Sequence, residues 1–138
     1  MQTRLFDLAA ERRAEVVQQL ADSLRADSEV VFAYLYGSFA RGEAFHDVDV
    51  GVYLADSCGE SDAKVLDLAD TLSRRVGHPV DVRSLNLAPV PFQFRAVQGM
   101  RLVSRDDERL ASFLERTGMA YADIAPRLRQ AARDAFAR

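Results

Sequence analysis

The sequence predicts an α/β or α+β domain in which helices flank a small mixed sheet. Three observations lead there. Val30–Tyr36 is a seven-residue apolar run of strand length, rich in β-branched and aromatic types. Two further stretches, Asp47–Leu54 and Val80–Leu85, alternate apolar and polar residues with the period of a strand. Apolar stripes at helical spacing separate and flank these runs, giving the order α-β-(turn)-β-α-β-α-β-α.

The elements follow in chain order. Leu5, Leu8, Val16, Leu20 and Leu24 recur at helical spacing, so a helix is expected from about residue 4 to 26, ended by Asp27 and Ser28. Val30–Tyr36 reads as a strand buried on both faces, stopped by Gly37. In the next strand Val48, Val50, Val52 and Leu54 share one face, while Asp47, Asp49, Gly51 and Tyr53 share the other. About ten residues without a clear crossover helix join these two strands, which leaves their relative direction open. After a loop around Cys58–Gly59, Val65, Leu68, Ala69, Leu72 and Val76 trace a helix, with Ser61 as its N-cap and Gly77 and Pro79 as its stop. Val80–Leu85 places Asp81 and Arg83 on one strand face. A proline-interrupted turn, Ala88–Pro91, leads to a short helix carrying Phe92, Arg95 and Ala96, and Arg101–Ser104 forms a short edge strand. From Asp106 onward the pattern is helical, and Gly118 and Pro126 are expected to divide it into two or three pieces.

At 138 residues the chain fits one domain, residues 1–138, with a core over about 28–105 and a helical tail over 106–138. Hydrophobic residues make up 49% and charged residues 28%, a globular balance that needs no disulfide or structural metal. The formal net charge of −3 implies no sequence-blind grip on nucleic acid. Cys58 is the sole cysteine, which excludes an internal disulfide, and no Cys/His cluster is spaced for zinc. The opening stretch is unlike a signal peptide, and no segment is apolar for long enough to cross a bilayer. A cytoplasmic protein is expected. Of the 18 basic residues all but Lys64 are Arg, a residue that favours bidentate contact with phosphate or carboxylate; codon bias in a GC-rich genome is the plainer account.

Asp47 and Asp49 lie two apart on one strand, so both carboxylates can reach one point in space, and Asp81 comes from another strand. Such charges repel unless a cation lies between them. Mg2+ suits the role, because it takes oxygen ligands from one or two carboxylates and from substrate phosphates. Asp-x-Asp alone is weak, since 14 aspartates make a chance pair expected, and two solvated carboxylates would give the same pattern. Gly37-Ser38, at the end of the apolar strand, strengthens the case: backbone amides at such a turn form an anion site, and Ser38 adds a hydroxyl. A strand-ending glycine with a capping serine would look the same. Arg41 could pair with a phosphate or, equally, with Glu43.

The stretch LYGSFARGEAFHDVDVGVYL, followed by PVDVRSL, resembles the nucleotidyltransferase domain of the DNA polymerase beta superfamily, most closely its minimal single-domain branch. That pattern runs Gly-Ser, a short Arg-Gly loop, Asp-x-Asp, then a lone Asp, and Gly37-Ser38, Asp47/Asp49 and Asp81 fall in those places. DVRSLNLAPVPFQFRAVQGMRLVSRD is similar to the family's following segment, so the resemblance spans about Val30 to Asp106. One departure is the loop between Ser38 and Asp47, eight residues here against the family's usual count of about ten, with His46 where a serine often stands. His46 either contacts a phosphate or sits on the surface without a role.

The resemblance implies a polymerase-beta-like fold and AMP transfer from ATP. Asp47 and Asp49 would hold two Mg2+ ions, and Asp81 would bind the ion nearer the attacking hydroxyl and help deprotonate it. Gly37 and Ser38 would hold the β and γ phosphates, with Arg41 beside them. Members of this branch are antitoxins encoded beside a HEPN-type ribonuclease toxin, which implies a HEPN-type toxin protein as partner and AMP acceptor. Two other readings are a non-catalytic module that neutralises its toxin by occlusion, and a small-molecule adenylyltransferase. The tail, with Leu110, Phe113, Leu114, Ile124, Leu128 and Phe136, could cover the sheet or present a partner-binding helix. Its end carries four Arg against one Asp over residues 127–138.

Overall fold

The computed structural model describes residues 4–58 and 62–136. Four strands form one mixed sheet: β1 (Val30–Tyr36), β2 (Val48–Leu54), β3 (Val80–Ser84) and β4 (Met100–Ser104), in the order β3-β2-β1-β4. β1 runs antiparallel to both β2 and β4, and β2 runs parallel to β3. The direction left open by the short connection is thus antiparallel, as a link without a crossover requires. Among the described residues five α-helices accompany the sheet: α1 (Ala10–Ala26), the single-turn α2 (Gly37–Ala40), α3 (Asp62–Val76), α4 (Val90–Val97) and α5 (Asp107–Phe136). Ser61, expected to cap α3, lies outside the described residues.

β1 is buried along its whole length because it is a central strand covered on both faces. On one face Val30, Ala33 and Leu35 pack with Val16, Leu20 and Leu24 of α1 and Leu68, Leu72 and Val76 of α3. On the other, Val31, Phe32, Tyr34 and Tyr36 meet Ala96 of α4 and Leu110 and Phe113 of α5. Val31 and Phe32 share a face because the pairing with β2 shifts register between Val30 and Phe32. The alternation of β2 holds: Val48, Val50, Val52 and Leu54 are all buried against α1 and α3. Asp49 therefore faces the α4 side. Gly77 ends α3 with a positive φ of 75°, its amide donating to Ser73 O at 2.9 Å. The sole lysine, Lys64, ties α3 to the α1–β1 turn through Asp27 (2.5 Å) and Glu29 (3.2 Å).

Two expectations are corrected. The first helix begins at Ala10 rather than near residue 4. Backbone bonds between Phe6 and Phe45 (2.8 and 2.9 Å) draw this stretch into an extended strap, and Leu5 is exposed. Pairing across the chain outweighs local helical spacing there. The tail is also one 30-residue helix, not several. Pro126 removes one helical hydrogen bond, but Ala122, whose carbonyl it frees, is exposed and can be solvated. The first half of α5 covers the sheet, with the Phe113 ring 5.3 Å from Phe32 and 5.4 Å from Tyr53. From Pro126 to Phe136 every residue is exposed, Leu128 and Phe136 included.

Gly118 sits inside α5, and a Cβ there would meet nothing within 4 Å. Glycine in a helix costs about 0.5–1 kcal/mol relative to alanine. Gly118→Ala is therefore expected to stabilise the fold by that amount, raising Tm by about 2–4 °C, as thermal melts of the two proteins would measure. No gain, or a loss, would mean the helix is not continuous through this residue.

Candidate active site

Strand pairing builds the acidic half of the site. Asp49 is the register partner of Tyr36 on β1 and of Asp81 on β3. The three residues thus form one row across the sheet, with neighbouring strands about 4.8 Å apart. Asp49 is half-buried, and its carboxyl is pushed up to about 6, first by burial and then by Asp81 and Asp47, with Arg83 and Arg95 opposing. Tyr36 is pushed up to about 12 by burial and by Asp49, so its hydroxyl keeps its proton near neutral pH.

The second half is the turn after β1. Gly37 takes a φ of 84°, and a Cβ on it would collide with the Asp49 carboxylate. Only glycine lets the backbone pass this close to Asp49. Ser38 follows in α2, its carbonyl accepting from the Glu43 amide at 3.0 Å. A cavity of about 620 Å³ opens between these halves, lined among others by Gly37, Ser38, Arg41, Asp49, Asp81 and Arg83. Gly37, Ser38, Arg41, Asp49 and Asp81, all singled out from the sequence, are thus brought together. Asp47 immediately precedes β2 and is not part of the lining; it acts on Asp49 through charge. Arg41 reaches the cavity and pairs with Glu43 (3.1 and 3.3 Å). His46 stands apart: its Nδ1 bonds the Arg4 carbonyl at 2.7 Å.

Sequence reasoning missed the cationic wall. Arg83 donates from Nε to Asp81 Oδ2 at 3.2 Å, and Asp81 holds the guanidinium pKa above its ordinary value. Arg83 and Arg95 both lie against the Phe92 ring, 5.7 and 5.4 Å from its centroid, and Phe92 meets Tyr36 edge-on at 5.5 Å. The two-residue spacing of Asp81 and Arg83 carried a signal for Arg83. Arg95 had none, because only the packing of α4 brings it to the cavity. Gly99 also lines the cavity, and a Cβ there would strike the Leu35 carbonyl.

The donor set fits a hard divalent cation. Two carboxylates stand side by side, and burial first, then the charges of Asp81 and Asp47, disfavour the ionised form of Asp49, a cost that a bound cation would relieve. Among the described residues no group of three or more acidic, His or Cys side chains is arranged to hold a metal ion. A two-carboxylate set suits Mg2+, which keeps waters and takes phosphate oxygens for its remaining ligands.

The fold and site define a nucleotidyltransferase. A family model described as polymerase beta, nucleotidyltransferase, matches residues 18–108, and the chain belongs to that family. No curated protein matches the chain significantly. Among solved structures it is similar to a chain of the toxin–antitoxin MntA–HepT, at 20% identity over 94% of this chain and 100% of that one, with a TM-score of 0.64. A toxin–antitoxin structure with AMP-PNP is 22% identical over 91% and 98% of the two chains, TM-score 0.67. A third, the tri-AMPylated Shewanella oneidensis HEPN toxin in complex with MNT antitoxin, is 21% identical over 93% and 98%, TM-score 0.64. At these identities the likeness is one of fold. Among the described residues no helix is long and apolar enough to cross a membrane.

Because the folded-state carboxyl of Asp49 lies above its ordinary value of 3.8, the charged form is disfavoured by folding. Stability from this group is fully present below about pH 4 and is lost as pH rises through about 6. In chelator, Asp49→Asn is expected to raise Tm near neutral pH, with the gain vanishing towards about pH 4. Paired melts across that range test this, and an equal gain at both ends would reject the electrostatic account.

Proposed function

We propose that the chain is an Mg2+-dependent adenylyltransferase that moves AMP from ATP onto a hydroxyl of a HEPN-type toxin protein, acting as its antitoxin. The observation that carries this reading is the Gly37-Ser38 turn set directly against Asp49 in one cavity. Backbone amides at such a turn can hold an anion beside a carboxylate pair that would take a cation, which is the combination a metal-bound triphosphate needs. The family match supports nucleotidyl transfer, and the AMP-PNP and AMPylated-toxin neighbours support the nucleotide and the acceptor class.

In this reading Asp49 and Asp81 would hold Mg2+, with Asp47, outside the cavity lining, adding negative charge beside them. When bound, Mg2+ would offset the negative charge of the triphosphate and of the leaving group. The amides of Gly37 and Ser38, with the Ser38 hydroxyl, hold the β and γ phosphates, and Arg41 adds charge at the rim. Asp81 orients the acceptor hydroxyl and takes its proton. The hydroxyl oxygen bonds the α-phosphorus in line, the bond to the bridging oxygen breaks, and pyrophosphate leaves with the electron pair. Arg83, donating from Nε to Asp81 Oδ2, keeps that carboxylate in place. Little covalent work falls to the protein, so positioning and charge supply most of the rate.

The test uses ATP labelled on the α-phosphate, Mg2+ and a purified HEPN-type toxin protein. Label is expected on the toxin, whereas label on the γ-phosphate stays off it. Asp49→Ala is expected to lower transfer by about a thousandfold or more while the protein still melts cooperatively. A folded Asp49→Ala protein with full transfer would sink the assignment. Toxin neutralised equally well by that variant, without transfer, would favour occlusion, and label confined to a small product would indicate a small-molecule acceptor.

A further inference from the structure

Arg13, in the first turn of α1, has spent its guanidinium on a loop far away in sequence. Nε donates to Leu8 O (2.9 Å), Nη1 to Phe39 O (3.2 Å), and Nη2 to Glu43 O (2.9 Å) and to Asp7 Oδ1 (3.0 Å). Its Cζ lies 5.2 Å from the Phe39 ring centroid and 5.5 Å from that of Phe45, and both phenylalanines are buried. The side chain itself is only 14% exposed. Two of its acceptors, Phe39 O and Glu43 O, bracket the Arg41-Gly42 turn inside the eight-residue loop that separates Ser38 from Asp47.

That loop needs an outside hold. α2 is a single turn, too short to persist alone, and its final carbonyls have few partners within the helix. Gly42 N donates to Phe39 O at 3.1 Å, and Arg13 supplies the second bond to that oxygen. The other end of the loop is stapled to the strap through Phe6 and Phe45, and Arg13 also holds the strap at Asp7 and Leu8.

We propose that Arg13 is a positioning residue for nucleotide binding, fixing the shortened Gly37–Phe45 loop so that Gly37 and Ser38 keep their place in the cavity wall. This rests on the adenylyltransferase reading. A planar fork stacked against two rings and serving four acceptors is a geometry that lysine cannot reproduce. Misplacement of a binding group by about 1 Å can cost a hundredfold, so a loose loop weakens nucleotide binding without touching the carboxylates.

Arg105 supplies the control. It donates to Val30 O (3.2 Å), Arg25 O (2.5 Å) and Asp27 O (3.1 Å), binding three carbonyls by its guanidinium, and it does not line the cavity. In the full chain, Arg13→Lys is expected to weaken MgATP binding about tenfold or more, measured calorimetrically without any partner. With the toxin as acceptor, KM for MgATP rises by a similar factor while kcat stays within about threefold. Amide exchange at Arg41, Gly42 and Glu43 quickens by about tenfold, with β1 unchanged. Arg105→Lys lowers Tm but leaves MgATP binding and exchange in this loop as they were. Wild-type binding and wild-type loop exchange in Arg13→Lys would overturn the proposal, as would equal losses of binding in both variants. A wild-type chain that binds no MgATP would instead overturn the functional reading and with it Arg13's part in binding, while loop exchange would still decide whether Arg13 holds the loop.

Discussion

The parallel pairing of β2 with β3 sets Asp49 beside Asp81, and the rest of the molecule is arranged around holding two like charges there. Their repulsion is on the order of 1–4 kcal/mol at this spacing, depending on how much water screens it. Against it stand Val48, Val50, Val52 and Leu54, each contributing about 1.5–3 kcal/mol by burial on the opposite face of β2. Slipping the register by one residue would separate the carboxylates but would also turn all four apolar side chains to the wrong face. Burial therefore wins, and the acidic pair is a fixed feature of the cavity wall.

Around that pair the cations have separate tasks. Arg83 and Arg95 rest on Phe92 and moderate the Asp49 carboxyl, so the acidic row is flanked by positive charge that does not neutralise it. Arg41 stands at the rim, paired with Glu43. Arg13 works behind the loop, on backbone oxygens. The prevalence of arginine, for which coding bias was the plainer account, thus coincides with several sites that use the fork geometry of the side chain.

Much of this was legible in the sequence because burial imposes periodicity. β1, β2, β3 and β4 and helices α3 and α4 fall within a residue or two of where spacing, proline and glycine put them. Gly37, Ser38, Arg41, Asp49 and Asp81 were found because motif order along the chain maps onto neighbouring strand ends. What escaped depended on contacts between distant segments. The strap over residues 4–9 carries a helical stripe, yet its backbone is taken by Phe45. α5 runs through Gly118 and Pro126 because its buried side chains, Leu110, Phe113, Thr117 and Ala125, outweigh two local breaks. Arg13 and Arg95 carried no sequence signal, since each acts on a loop or cavity that only the fold brings near.

The antiparallel pairing of β1 with β2 also bears on the order of assembly. These strands are joined by one short loop, whereas β4 reaches β1 only after β2, α3, β3 and α4 have intervened. The entropy lost in closing a loop grows with its length, so the β1–β2 hairpin is the cheapest long strand pairing for the chain to make first. The Gly37-Ser38 turn and Asp49 both lie in that hairpin. A folding nucleus built on it would already contain that turn and one of the two carboxylates, so mutations there would slow folding as well as alter the cavity.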